Sequence, residues 1–202
     1  MREPENIKAL SSLNPDYIGF IFYPPSKRFV HLLDHQTLDQ LPDSLKKTGV
    51  FVNASKEDIL EKTSLYHLNA LQLHGTESPE FCRELRESDL EIIKAFGVDE
   101  DFDFEVLKAY EGTVDYFLFD TKTKLHGGSG ITFNWELLNK YVLNTPYFLS
   151  GGLDVENIHE ALKIDDERFY ALDLNSRFEI EPALKDIDKL KLAINKIKGI
   201  PA

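Results

Sequence analysis

Residues Tyr147 to Arg177 read YFLSGGLDVENIHEALKIDDERFYALDLNSR, and this stretch decides the fold. Two short apolar runs, Tyr147 to Ser150 and Phe169 to Leu174, have the composition of buried strands, and Val155 to Leu162 between them has helical spacing. Each run ends in a loop suited to an anion: Ser150-Gly151-Gly152-Leu153 after the first and Asp173-Leu174-Asn175-Ser176-Arg177 after the second. Glycine lets the backbone approach a ligand closely, and Ser and Asn add side-chain donors. A Gly-Gly pair alone is an ordinary turn signal. Two such loops after successive strands are what a phosphate site on the last two strands of a (β/α)8 barrel requires.

Working outward, the same alternation runs through the chain. Pro4 to Leu13 reads as a helix stopped by Asn14-Pro15, and Tyr17 to Phe22 as a strand followed by the loop Tyr23 to Arg28. His35 to Leu41 is a short helix and Gly49 to Asn53 a strand. Ser55 to Asp58 has the form of a capping box ahead of Ile59 and Leu60. Ala70 to Leu73 is a strand leading to His74-Gly75, and Ser78-Pro79-Glu80 opens the next helix. Glu91 to Ala95 is a strand, followed by a helix centred on Val106 and Leu107. Tyr116 to Phe119 is a strand, Asn134 to Tyr141 a helix, and Leu184 to Ile197 a final helix. Continuously apolar strands alternating with helices make βα units of a parallel sheet. There are seven strands and the series starts on a helix. A doubly wound sheet tolerates that count, whereas a barrel is left without its first strand; the two anion loops decide for the barrel.

Composition narrows the function. The 202 residues suit one domain, 1–202, with one core. The net charge is −12, with the acids spread along helical segments, which argues against a nucleic-acid surface while leaving backbone amides able to hold a phosphate. The one cysteine, Cys82, permits no intramolecular disulfide. No apolar run reaches membrane-spanning length and the charged start is no signal peptide, so a cytoplasmic protein is expected. The candidate reaction centre is Tyr116 to Trp135, YFLFDTKTKLHGGSGITFNW. Here a strand ends on Asp120 and opens into a polar loop knotted by Gly127-Gly128-Ser129-Gly130. An Asp in that place also serves as a turn former, Arg28 as a surface charge, and His74 as a hydrogen-bonded strand end. Trp135 reads as core packing.

Several stretches together resemble the phosphoribosylanthranilate isomerase family of tryptophan biosynthesis: GFIFYPPSKRFV (19–30), GVFVN (49–53), LQLHG (71–75), LFD with GGSGITFNW (118–135), SGGL (150–153) and DLNSRFEIEPALKD (173–186). The resemblance implies an α/β fold, a (β/α)8 TIM barrel, and an Amadori rearrangement of N-(5'-phosphoribosyl)anthranilate to 1-(o-carboxyphenylamino)-1-deoxyribulose 5-phosphate with no metal or cofactor. Asp120 matches the family's general acid, which protonates the furanose oxygen so that the ring opens to a Schiff base. A barrel mouth that raises its pKa would suit that task. Arg28 matches the arginine that holds the anthranilate carboxylate, and Gly151, Gly152, Asn175 and Ser176 fall where the family grips phosphate. Asp173 and His74 face the same mouth as substrate-binding residues.

The chain departs from the family at its start. The family begins with a strand ending Lys-x-Cys-Gly, whose Cys is the base that takes the C2' proton. This chain begins Met1-Arg2-Glu3-Pro4. The first strand and the base are therefore expected to be missing from it, and Cys82, in a helix beside Phe81 and Leu85, is expected to be a small buried hydrophobe. Arg177-Phe178 and Ala183 replace residues usual in the family. Two expectations follow: an isomerase, or a barrel that binds a sugar phosphate and has lost catalysis. Either acts on a small phosphorylated molecule, without nucleic acid or membrane, as a monomer or homodimer.

Overall fold

Parallel pairing runs unbroken through seven consecutive strands in a computed structural model, which describes residues 1–86, 89–122 and 132–200. The strands are β1 (Tyr17–Ile21), β2 (Lys46–Phe51), β3 (Ala70–Leu73), β4 (Glu91–Val98), β5 (Tyr116–Thr121), β6 (Tyr147–Leu149) and β7 (Phe169–Leu172), each bonded to its neighbours in sequence. Helices α1 (Pro4–Ser11), α2 (His35–Asp39), α3 (Lys56–Tyr66), α4 (Pro79–Arg86), α5 (Ile158–Ala161) and α6 (Ile187–Ile197) alternate with them. Strand side chains point alternately to the two faces, and the core divides accordingly. Phe117, Phe119, Tyr147 and Leu149 pack outward among Phe104 and Tyr141, under the helical layer. Ile93, Ala95, Leu118 and Phe148 form a separate inner cluster with Tyr17, Tyr116 and Ala171. Register places Ala95, Leu118 and Phe148 side by side across three strands, a layered interior of the barrel kind. β1 and β7 are the two edges of this sheet.

The seven expected strands all form, with boundaries shifted by a few residues. The helices differ more. Phe104–Tyr110 and Trp135–Lys140 are 3₁₀ turns instead of α-helices. Their apolar residues recur at i and i+3, as in Phe104/Leu107 and Trp135/Leu138, and a three-residue turn puts those on one line. The helix expected from Val155 shrinks to Ile158–Ala161. The last helix begins at Ile187, not Leu184, because Asp186 caps it by accepting from the Lys189 amide. Ahead of the cap, β8 (Glu179–Glu181) and β9 (Leu184–Lys185) form a small antiparallel hairpin. A two-residue strand carries no periodicity to read. Ser55 caps α3 as its pattern implied. Trp135 packs against the core, its indole Nε1 buried without a partner among the described residues. The glycine knot 127–130 lies outside the described residues.

Candidate active site

The loops that leave the C-terminal ends of the strands enclose one cavity of about 400 Å³. Arg28, His74, Asp120, Gly151, Gly152, Asp173, Asn175 and Ser176 all line it. Residues scattered over 149 positions of chain, from 28 to 176, are thus brought to one mouth by the parallel order of the strands. The cavity continues down the sheet along both edges, past Tyr17 and Gly19 of β1 and Tyr170 to Leu172 of β7.

Asp120 stands next to the end of β5, opposite Gly97 of β4. Its Oδ1 accepts from the Thr121 amide at 2.8 Å, and its Oδ2 lies 3.6 Å from His74 Nε2. The other ring nitrogen, Nδ1, is 3.0 Å from the Gln72 amide nitrogen. The Gln72 contact holds the ring by Nδ1 and leaves Nε2 as the nitrogen that faces Asp120. Sequence reading passed over Gln72, which lies within the LQLHG stretch. Gly151 closes the site from the next strand. Its φ is +86°, and a Cβ there would meet Thr121 Oγ1 at 2.3 Å and Asp120 Oδ1 at 2.8 Å, so only glycine allows this approach. Asp173 accepts from Ser150 Oγ at 3.0 Å. Burial pushes its carboxyl above the ordinary range, with Asp120 adding to the effect and Lys185 and Ser150 opposing it.

Arg28 is engaged by a residue that sequence reading did not single out. Glu179 of β8 takes its Nε at 2.8 Å and its Nη2 at 2.6 Å. Lys185 of β9 reaches the loop after β7, donating to the Asn175 carbonyl at 3.1 Å and to Asn175 Oδ1 at 2.8 Å. A second buried pair, Lys94 and Glu77 at 3.2 Å, supports the His74 loop from behind the sheet. Glu77 accepts from the Gly75 and Asn53 amides, and Lys94 donates to the carbonyls of Leu73, Gly75 and Ala95. Cys82 is buried in α4 and does not line the cavity, and burial pushes its thiol up to about 11. Among the described residues no three His, Cys, Asp or Glu side chains converge as a metal-ligating group, and no helix is long and apolar enough to cross a membrane.

A parallel α/β sheet carrying an acid, an imidazole, an arginine and two glycine- and amide-rich loops at its C-terminal strand ends belongs to the class of barrel enzymes acting on phosphorylated small molecules. Within that class the assignment is specific. The family model described as N-(5'phosphoribosyl)anthranilate (PRA) isomerase matches residues 1–196. The N-(5'-phosphoribosyl)anthranilate isomerase of Parabacteroides distasonis is 51% identical over 199 residues, covering 98% of this chain and 90% of that protein. A solved structure of monomers generated from the dimeric enzyme of Thermotoga maritima aligns with a TM-score of 0.79 at 35% identity, over 99% of this chain and 96% of that one. A phosphoribosyl anthranilate isomerase solved with reduced 1-(o-carboxyphenylamino)-1-deoxyribulose 5-phosphate aligns with a TM-score of 0.81 at 34% identity, over the same shares. The chain belongs to the N-(5'-phosphoribosyl)anthranilate isomerase family.

Proposed function

We propose that this chain isomerises N-(5'-phosphoribosyl)anthranilate in tryptophan biosynthesis, with Asp120 as the general acid. The observation that carries the reading is the pairing of Asp120 with His74 at the mouth of a cavity that also holds Arg28 and both anion loops. Phosphate sits against Gly151, Gly152, Asn175 and Ser176, the anthranilate carboxylate against Arg28, and the ribose between them near Asp120 and Asp173. Asp120 gives its proton to the ring oxygen as the C1'–O bond breaks, leaving a Schiff base. Loss of the C2' proton to a base then gives the enolamine that becomes the ketone. Cys82, buried in α4 and away from the cavity, is not that base. A barrel that only binds sugar phosphate is the weaker reading, since binding alone has no use for an acid set between the two anion loops and Arg28.

The seven strands occupy seven positions of a (β/α)8 barrel in this reading, within one phosphate-binding domain. The eighth position lies between β1 and β7; supporting this, both are sheet edges and both line the same cavity. A strand there ending Lys-x-Cys-Gly would bring the family's base to the mouth. The test of the chemistry is Asp120→Asn in protein carrying that strand. Turnover is expected to fall by about 10²–10⁴-fold with KM little changed, as for loss of an acid used only in the transition state. Unaltered turnover would remove Asp120 from the mechanism.

A further inference from the structure

Glu179 has no part in the reaction above, yet its side chain is only 4% exposed and its oxygens are fully engaged. Oε1 and Oε2 take Arg28 Nε at 2.9 and 2.8 Å, and Oε2 also takes Nη2 at 2.6 Å. Oε1 further accepts the Ala183 amide at 3.1 Å and lies 3.6 Å from Lys185 Nζ. The pairing is side-on. It occupies the Nε and Nη2 edge of the guanidinium and leaves Nη1 without a hydrogen bond among the described residues. Arginine has a long stem with many rotamers, and a fork fixed along one edge presents its remaining hydrogens in one orientation.

Pairing with a carboxylate would normally cancel the attraction of an arginine for a second anion. Lys185 changes that balance. Its Nζ faces three acceptors besides Glu179, namely the carbonyls of Leu174 and Asn175 and Asn175 Oδ1. Burial lowers the Lys185 ammonium, with the Glu179 charge opposing, and an ammonium has a hydrogen for each of these three acceptors. Burial raises the Glu179 carboxyl, but the Arg28 hydrogen bonds and the Lys185 charge outweigh it and hold the group below the ordinary range, hence ionised. The Glu179 carboxylate is thus shared between Arg28 at 2.6 Å and Lys185 at 3.6 Å and is not spent on Arg28 alone. We propose that Glu179 is a positioning residue that, with Lys185 as its second cation, orients Arg28 to receive an aromatic carboxylate. This rests on the reading of Arg28 given above.

The test is calorimetric titration of the full chain with anthranilate and, separately, with inorganic phosphate. Glu179→Gln is expected to weaken anthranilate at least about ten-fold, the scale of one charge-assisted contact, with phosphate changed less than about two-fold. On an Arg28→Ala background the same substitution is expected to add nothing. Glu179→Asp keeps the charge and draws it back by one methylene; it is expected to show the same split at smaller size, and replaces Glu179→Gln if that variant does not fold. Equal loss of both ligands, or a full further loss on the Arg28→Ala background, overturns the positioning role. Unchanged anthranilate binding in Glu179→Gln overturns it alone and leaves the reading of Arg28 standing. Wild-type protein that takes phosphate but not anthranilate overturns both.

Discussion

Asp173 is the residue whose chemistry most depends on its surroundings. Burial raises its folded-state carboxyl above the ordinary 3.8. Between that value and the raised one the folded protein binds more protons than the unfolded chain, so stability falls as pH rises through this window, and the penalty is complete above it. Asp173→Asn removes the ionisable group and keeps an acceptor for Ser150. Its melting temperature, measured from pH 4 to pH 8, is therefore expected to gain on that of wild type as pH rises through this window and to keep that gain above it. A constant difference across that range would mean that Asp173 is not held protonated by the fold. Gln72 acts at the same scale by fixing which nitrogen His74 turns toward Asp120.

At the scale of elements, the ion pair of Lys94 and Glu77 ties the loop between β3 and α4 to β4. Their side chains are 1% and 2% exposed. Breaking a buried pair leaves an uncompensated charge, at a cost of about 3–5 kcal/mol. Lys94→Met and Glu77→Gln are each expected to lower unfolding free energy by that amount in urea melts, and the double variant by clearly less than the sum. Additive losses would show that the two groups act separately. Because Glu77 holds the Gly75 amide beside His74, either single change is also felt at the site. Burial lowers the Lys94 ammonium, with the Glu77 charge opposing, so pair and loop depend on each other.

The whole molecule is governed by the two edges of its sheet. β1 and β7 are the sheet's edges along one cavity; on β1 the Gly19 carbonyl accepts from the Met1 amine and the Ile21 carbonyl from the Val30 amide, and the edge groups that remain invite pairing. A strand of about five residues filling the eighth position contributes ladder hydrogen bonds and buried side chains of about 5 kcal/mol or more. Each kcal/mol is worth about 2–4 °C in a domain of this size, so adding a strand that ends Lys-x-Cys-Gly ahead of Met1 is expected to raise Tm by about 10–20 °C. Turnover is expected to rise with it as well. If residues 1–202 alone melt as high and turn over substrate as fast, the eighth position is not needed and another group is the base.

By itself the sequence determined the alternation of seven strands with helical segments, because unbroken apolar runs and caps such as Ser55 are local signals. It also marked the strand-end residues that share the cavity, since in a parallel sheet every C-terminal end faces the same side. The tertiary structure alone decided which charges meet. Glu179 is 151 residues from Arg28, and nothing local to either marks their pairing. The β8–β9 hairpin that carries Glu179 and Lys185 is too short to show a period. Lys94 read as one residue of an apolar strand, and only the fold shows that it points into the sheet–helix layer, where a buried cation must find a carboxylate. Sequence patterns record which face of an element is apolar. Buried ion pairs are contacts between elements, and they are set when the sheet and its return loops close over one another.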